Sequence, residues 1–513
     1  MKRLAILAIT LSCLAGLLCL APGPETARAS SSTTWTDANG DWNTAGNWTN
    51  GVPTGSTDAI ITNGTSTVTL GSGATGNTDN LALASGNTLS LSLNSQFFIS
   101  GTSISNAGQI TINGGAGTNT FLVLDNNVTL SGAGTLTMTT ASGGGNAFIE
   151  QAAAGLTLNL TNMNNNIQGG GIIGNNGLTV VNGAAGTIQA NVNGQSLTLN
   201  GGGSLTNNGT MSGLGGGILN VNGSTPLTNY NAVNKTLTGG TYIVDGSGGS
   251  VTTMGLPLGT TGGEIFNNAA NIILSGANAN VAFVDTAGLD TLNNGSGGGL
   301  ENNTAVASLS ILNGYNLTTP GDFSNAGMVK VGLTAGDTSI LKIGPAGLNT
   351  YTQSSGLTQG TGTIIGHIVI NGGTIKPGDP PGTLSVFDLT LNNGTFLEQI
   401  AGSGSGQYGV LDVTGGNTHL GSGALLDISL LGGYDPVGHL FTILNDSGGS
   451  VYGTFANAPS GGFVMDQINW TIAYNSNDIV LDAVSPAVIP IPGSIWLTLS
   501  GLAGLWGMRR FRA

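Results

Sequence analysis

Between Ser30 and Val484 the sequence contains no arginine at all, and its lysines there number four: Lys235, Lys330, Lys342 and Lys376. Of the 24 acids only Glu25 precedes this region, so it carries 23 acidic residues against 4 lysines, a net of −19. That balance excludes an electrostatic footprint for nucleic acid or an anionic lipid surface. Cysteine is equally scarce, with Cys13 and Cys19 the only two, both in the first twenty residues. The remainder therefore forms neither a disulfide scaffold nor a thiolate metal site. Charged residues amount to 7% and aromatics to 5%, yet 39% of the chain is hydrophobic and 90 residues are glycine. Disordered chains combine low hydrophobicity with high charge, so this composition points to repetition instead. No stretch from Ser30 to Val484 carries an apolar face at helical spacing, which removes helices from the expected fold.

What fills the space is alternation. Segments such as "DAIITNGTSTVTL", "NTLSLSLNSQFFIS", "GLTLNLTN" and "SLTLNGGGSLTNNGTMSG" place apolar and small polar residues in turn, interrupted by Asn-Gly or Gly-Gly. This is the pattern of short, half-buried strands joined by tight turns. Asn-Gly steps at Asn63, Asn113, Asn176, Asn182, Asn193, Asn200, Asn208, Asn222, Asn294, Asn313, Asn371 and Asn393, among others, read as turns, because both residues tolerate positive φ. A sandwich of ordinary size does not absorb so long a region, whereas a coil of stacked strands needs only a thin core of Leu, Ile and Val. The expectation is an all-β chain: a right-handed parallel β-helix or solenoid with a small carboxy-terminal β unit. With rungs of about 20 residues at ~4.8 Å, the coil is expected to make a rod on the order of 80 Å long.

The ends differ from the body. Lys2 and Arg3 precede an apolar run from Leu4 to Leu20, and Ala27-Arg28-Ala29 supplies a small-x-small cleavage site, the pattern of a secretory signal peptide cut after Ala29. "TTWTDANGDWNTAGNWTNGVP" holds Trp35, Trp42 and Trp48, half of the six tryptophans. An aromatic cap over the open end of a coil is one reading of them. Carbohydrate stacking on the same rings is the other. The expected organisation is a signal peptide at 1–29, a Trp-rich cap at 30–58, solenoid repeats at 59–400, a β unit at 401–484, a Pro-containing linker at 485–492 and a transmembrane segment with an Arg tail at 493–513.

Reactive constellations are sparse. "GNTDN" (Gly76 to Asn80) has an Asn-Thr-Asp element like that of polygalacturonases, but no Asp-Asp pair, Gly-His-Gly or Arg-Ile-Lys accompanies it, and Asp79 reads as a turn residue. A lyase needs a cation for the enolate and a base for the proton, and the body offers four scattered lysines. His367, His419 and His439 stand apart in sequence without metal-ligand spacing. "GGAGTNTF" (Gly114 to Phe121) approaches a calcium-binding nonapeptide, with Asn119 where a ligand Asp belongs and no tandem copy. Neither a cofactor nor a metal is expected, and the chain is read as non-enzymatic.

Several segments resemble known families. "WTDANGDWNTAGNWTNGVPTGSTDAIITNG", "LTNYNAVNKTLTGGTYIVDG", "GGTIKPGDPPGTLSVFDLTLNNGTF", "YGVLDVTG" and "GHLFTILNDSGGSVYGTFANAPSG" resemble exported bacterial β-helix proteins with autotransporter-passenger-like repeats. The ending "IPIPGSIWLTLSGLAGLWGMRRFRA" joins Pro490, Ile491 and Pro492 to an apolar stretch and to Arg509, Arg510 and Arg512. It resembles the PEP-CTERM sorting signal in its Val-Pro-Leu-Pro-Ala variant, Ile491 standing where the main form has Glu. The resemblance implies a membrane-embedded exosortase-type sorting protease as partner, a Gram-negative-type source that makes exopolysaccharide, and transient anchoring through the carboxy-terminal helix. The arginines fit the cytoplasmic end of such a span. The function expected is an exported structural or adhesive component of the cell surface or extracellular matrix; the alternative is a polysaccharide-binding or polysaccharide-degrading β-helix protein.

Overall fold

A computed structural model describes residues 31–140, 143–256, 264–282, 292 and 298–486. The described residues are almost entirely β, with a single three-residue 3-10 turn at Ala45–Asn47, and no helix among them is long and apolar enough to cross a membrane. Strands recur in threes, and most pair in parallel with the strand one full turn of the chain later. Face 1 begins Ser31–Thr34, Thr57–Ile61, Leu81–Leu83, Ser103–Asn106. Face 2 begins Asn39–Asp41, Thr67–Leu70, Thr88–Leu91, Gln109–Gly114. Face 3 begins Thr75–Thr78, Gln96–Ile99, Thr120–Leu124. Long strands bend round the corners: Thr236–Asp245 belongs to two faces and Thr383–Ile400 to all three. The result is a three-faced parallel solenoid.

Face 2 can be followed without a break from Asn39–Asp41 to Thr418–Leu430, sixteen strands deep. At ~4.8 Å per strand this is roughly 70 Å, near the length expected from sequence. The parallel stacking runs past residue 400, through Val410–Val413 and Thr418–Leu430 to Val451–Gly453. The stack then ends in an antiparallel sheet of Leu440–Asp446, Asp478–Pro486, Ile468–Tyr474 and Gly461–Met465. Rung length varies widely: Leu357 pairs with Thr374, 17 residues on, but Asn271 pairs with Ser308, 37 residues on. This variation hides the repeat in the sequence.

Alternation produces the core. On face 2, Val68, Leu89, Ile110, Leu136, Ile167, Ile188, Met211, Tyr242, Ile272, Leu309 and Val329 stand in register, all buried. Burial of such a side chain stabilises by roughly 1.5–3 kcal/mol. Their neighbours at every second position, Thr67, Thr69, Ser90, Thr111 and Thr137 among them, face outward.

The interior also holds a polar column. Asn162 Nδ2 donates to Asn182 Oδ1 at 3.0 Å, and Asn182 Nδ2 to Asn207 Oδ1 at 2.9 Å. Further along, Asn268 donates to Asn303 at 2.9 Å, Asn303 to Asn325 at 2.8 Å and Asn325 to Gln353 Oε1 at 3.3 Å. Most of these amides close a strand of face 1, and all are at most 1% exposed. At a corner the backbone leaves the ladder, and carbonyls such as Gly186 O and Thr210 O turn inward; Asn182 Nδ2 reaches both, at 3.1 and 3.0 Å. The amide thus satisfies groups whose burial without partners is costly. A glycine two residues further on completes the device. A Cβ on Gly209 would stand 2.2 Å from two carbonyl oxygens of the previous rung, and one on Gly327 2.3 Å from Thr304 O. Asn182, expected at a turn, is therefore an interior residue, whereas Asn176 and Asn313 do adopt positive φ.

Neighbouring Asn207 and Asn208 separate the two roles, the first fully buried in the column and the second exposed. Asn207→Ala removes the acceptor of Asn182 Nδ2 and the donor to Thr241 O and should cost about 2–3 kcal/mol. Asn208→Ala should stay within about 0.5 kcal/mol. Hydrogen exchange of the rungs from Thr187 to Leu214 measures both; equal effects would refute the assignment.

Candidate functional site

Trp35, Trp42 and Trp48 are 1%, 0% and 4% exposed. Trp48 packs edge-on against both others at centroid distances of 5.0 and 4.9 Å, and Trp42 meets Phe97 at 4.7 Å. Trp48 Nε1 donates to Trp42 O at 2.8 Å. The three rings fill the first end of the core, so none presents the free face that a sugar needs for stacking.

Both ends of the stack are closed by side chains. A terminal parallel strand leaves every second N–H and C=O without a partner strand. At the first strand, Thr34 N donates to Thr49 Oγ1 at 2.9 Å, and Asn50 Nδ2 donates to Ser32 O at 2.9 Å. At the last strand of face 2, Leu426 N donates to Asn457 Oδ1 at 2.9 Å and its carbonyl accepts Asn457 Nδ2 at 2.7 Å. Ile428 N meets Met465 Sδ at 3.1 Å and Leu430 N donates to Asp466 Oδ2 at 3.1 Å. Asp466 and Gln467 both have positive φ, 47° and 63°, as a two-residue hairpin of the primed type requires. That strained turn carries the capping carboxylate.

Ionisable groups cluster toward the carboxy-terminal third. His367 and Asp388 pair across adjacent rungs, Nδ1 to Oδ2 at 2.5 Å, and Asp388 Oδ1 also accepts Ile368 N–H at 3.0 Å. His419 stacks on Tyr452 at 4.9 Å, and His439 lies 6.2 Å from Tyr434. The geometry gives His367 a carboxylate orienter, which the sequence concealed behind 21 intervening positions. Its ring meets Asp388 and the edge of Phe387, and the residue stands in register with Thr350 on the preceding rung. On face 2, Lys330, Gln359 and Lys376 stack in register. All three donate to Asp379, at 3.1, 3.1 and 3.0 Å. Burial pushes the Asp379 carboxyl up, but the hydrogen bonds and charges of Lys376 and Lys330 outweigh it and hold the group below the ordinary range. Lys235 pairs with Glu264. Asp79 lies close enough to Asp58 for the like charge, after desolvation, to raise its pKa. No group of three or more His, Cys, Asp or Glu residues among the described residues gathers as a metal site.

Among the described residues, Glu398 is a fully buried carboxyl whose two oxygens differ in treatment. Oε1 accepts Gly409 N–H at 2.7 Å, while Oε2 has no hydrogen-bond partner. Oε2 and Pro377 O each lie 3.0 Å from where a Cβ on Gly409 would stand, so a side chain there would crowd the carboxylate. Desolvation raises the pKa of Glu398 well above the ordinary 4.5, against the opposing hydrogen bond from Gly409.

Ala27, Ala29, Pro490, Ile491, Pro492, Arg509, Arg510 and Arg512 lie outside the described residues. Comparison with protein-family models finds no match to this chain, and no curated protein matches it.

Two predictions follow from these sites. An acid whose folded pKa is raised contributes stability that is complete below its unfolded pKa and lost as pH climbs toward the folded value. Local stability around residues 396–413 should therefore decline as pH rises above 4.5, and Glu398→Gln should flatten that decline while raising stability at pH 7. Thermal melting from pH 4 to 8 measures the slope, and an unchanged slope in the variant would assign it elsewhere. The second concerns the end cap: Asn457→Ala combined with Asp466→Ala should free the last strand and produce concentration-dependent association in gel filtration. A monodisperse double variant would show that those side chains do not guard the edge.

Proposed function

We propose that this chain is an exported, non-enzymatic structural or adhesive protein of the cell surface or extracellular matrix. In this reading it is a right-handed parallel β-helix, the sense in which parallel crossovers are almost always made, preceded by a cleaved signal peptide and followed by a PEP-CTERM-like sorting segment. The observation that carries the reading is the long stack itself, closed at both ends by side chains. Such a body holds its two termini apart and offers its length as lateral surface. Its acidic, arginine-free surface suits a crowded exterior, since like charge keeps copies apart.

Sorting would use residues that the sequence marks. Proline fixes an extended backbone at Pro490 and Pro492, the form a processing enzyme reads, and Arg509, Arg510 and Arg512 resist passage across the bilayer. An exosortase-type protease is the partner this implies, with exopolysaccharide as the matrix around the delivered body.

Surface delivery and processing are tested together in the native host. Protease shaving of intact cells should release peptides from residues 30–484, and mass spectrometry of the envelope fraction should find a carboxy terminus upstream of Arg509. Replacing Pro490 and Pro492 by Ala should accumulate a membrane-held precursor. A protein confined to the cell interior would overturn export, and a mature chain ending at Ala513 would reduce the segment to a plain anchor.

A further inference from the structure

On the outside of the solenoid, at the edge where face 2 turns into face 3, there is a groove of about 380 Å³ lined by Thr137, Gln168, Asn191, Val192 and Gln195 with neighbouring backbone. Its volume falls within the range of small-molecule sites, ~300–1,000 Å³. The groove crosses three successive rungs, because Thr137 pairs with Gln168 and Gln168 with Gln189, two positions before Asn191. That span is on the order of 10 Å. We propose that this groove binds a short stretch of a neutral polysaccharide.

The hydrogen bonding of the lining fixes which valences remain. Thr137 Oγ1 accepts from Gln109 Nε2 at 3.0 Å and from Gln168 Nε2 at 3.3 Å. With both lone pairs engaged, its O–H proton is left to donate. Gln168 Oε1 accepts from Asn166 Nδ2 at 2.8 Å and from Asn191 Nδ2 at 3.3 Å, which leaves Gln168 with one N–H. Asn191 keeps its second N–H and its carbonyl oxygen. Gln195 Nε2 is tied to Thr140 O at 2.8 Å, orienting the side chain and leaving Oε1 as an acceptor. The groove therefore offers donors and acceptors side by side, held by a chain of amides running up the rungs. Carbohydrate hydroxyls both donate and accept, and so match such an array. Val192, 37% exposed, supplies apolar surface for the carbon-bound hydrogens of a sugar ring.

Charge selects among saccharides. No residue lining the groove is ionisable, and the region from Ser30 to Val484 carries a net −19. A uronate or sulfated chain would approach against that field without a cation to receive it. A neutral chain loses nothing.

The site was not visible in the sequence, since its residues are drawn from three rungs. It also does not rest on export or sorting. Calorimetric titration of the purified full-length chain with cellohexaose, xylohexaose and mannohexaose, and with hexagalacturonate as the anionic comparison, tests it directly. Saturable binding of a neutral hexasaccharide, little changed between 50 and 500 mM salt, is the expected result. Gln168→Ala and Asn191→Ala should each weaken it about tenfold, the scale of one or two lost hydrogen bonds. Thr137→Val should weaken it similarly and Thr137→Ser should restore it, while Asn208→Ala should leave it unchanged; melting curves verify that each variant is folded. Failure of all three neutral sugars to bind would overturn the proposal, as would binding indifferent to the groove variants or binding of hexagalacturonate alone. None of those outcomes would touch the reading of an exported rod, which is judged by surface shaving.

Discussion

Most of the described strands pair on both edges with the corresponding segments of the neighbouring turns, and that pairing governs the rest of the structure. Parallel pairing in register places each inward side chain over the one below, so the core becomes a set of continuous columns rather than a globular interior. The corners are where the pairing fails locally, and there the buried amides of Asn162, Asn182 and Asn207 complete the bonding that the backbone leaves open. The first and last strands are where it fails globally. Thr49 and Asn50 at one end, and Asn457, Met465 and Asp466 at the other, take the place of the missing strand.

Closure of both ends has a consequence for how such a rod takes part in larger structures. These side chains oppose strand-by-strand extension from end to end and leave the lateral faces as the larger open surface. The lateral faces are mainly hydroxyls and amides, with charge gathered late in the stack around Lys330, Lys376 and Asp379 and around His367 and Asp388. The groove at Thr137, Gln168 and Asn191 lies away from that charge in the chain's fold order, on earlier rungs.

The period-two alternation, the absence of helical spacing and the thin supply of large apolar residues were enough to give a parallel all-β coil, since a narrow core filled by one side chain per strand position has no other simple source. The clustering of Trp35, Trp42 and Trp48 marked one end of it. What alternation could not say is which residues meet. Asn182 and Asn208 both stand before glycine, yet one is interior and the other is exposed, because the difference depends on whether the corner directs the side chain inward. The primed hairpin at Asp466-Gln467 lacked the Asn-Gly that signals such turns, and its conformation is fixed by the contact to Leu430. His367 found Asp388, and Thr137 found Gln168 and Asn191, across loops whose lengths vary from rung to rung. The sequence by itself determined the strand period, the polarity of each face and the composition of the core, all of them properties of neighbours along the chain. Register came only from the folded chain, and it sets every contact between rungs, because the offset from one partner to the next varies from 17 to 37 residues.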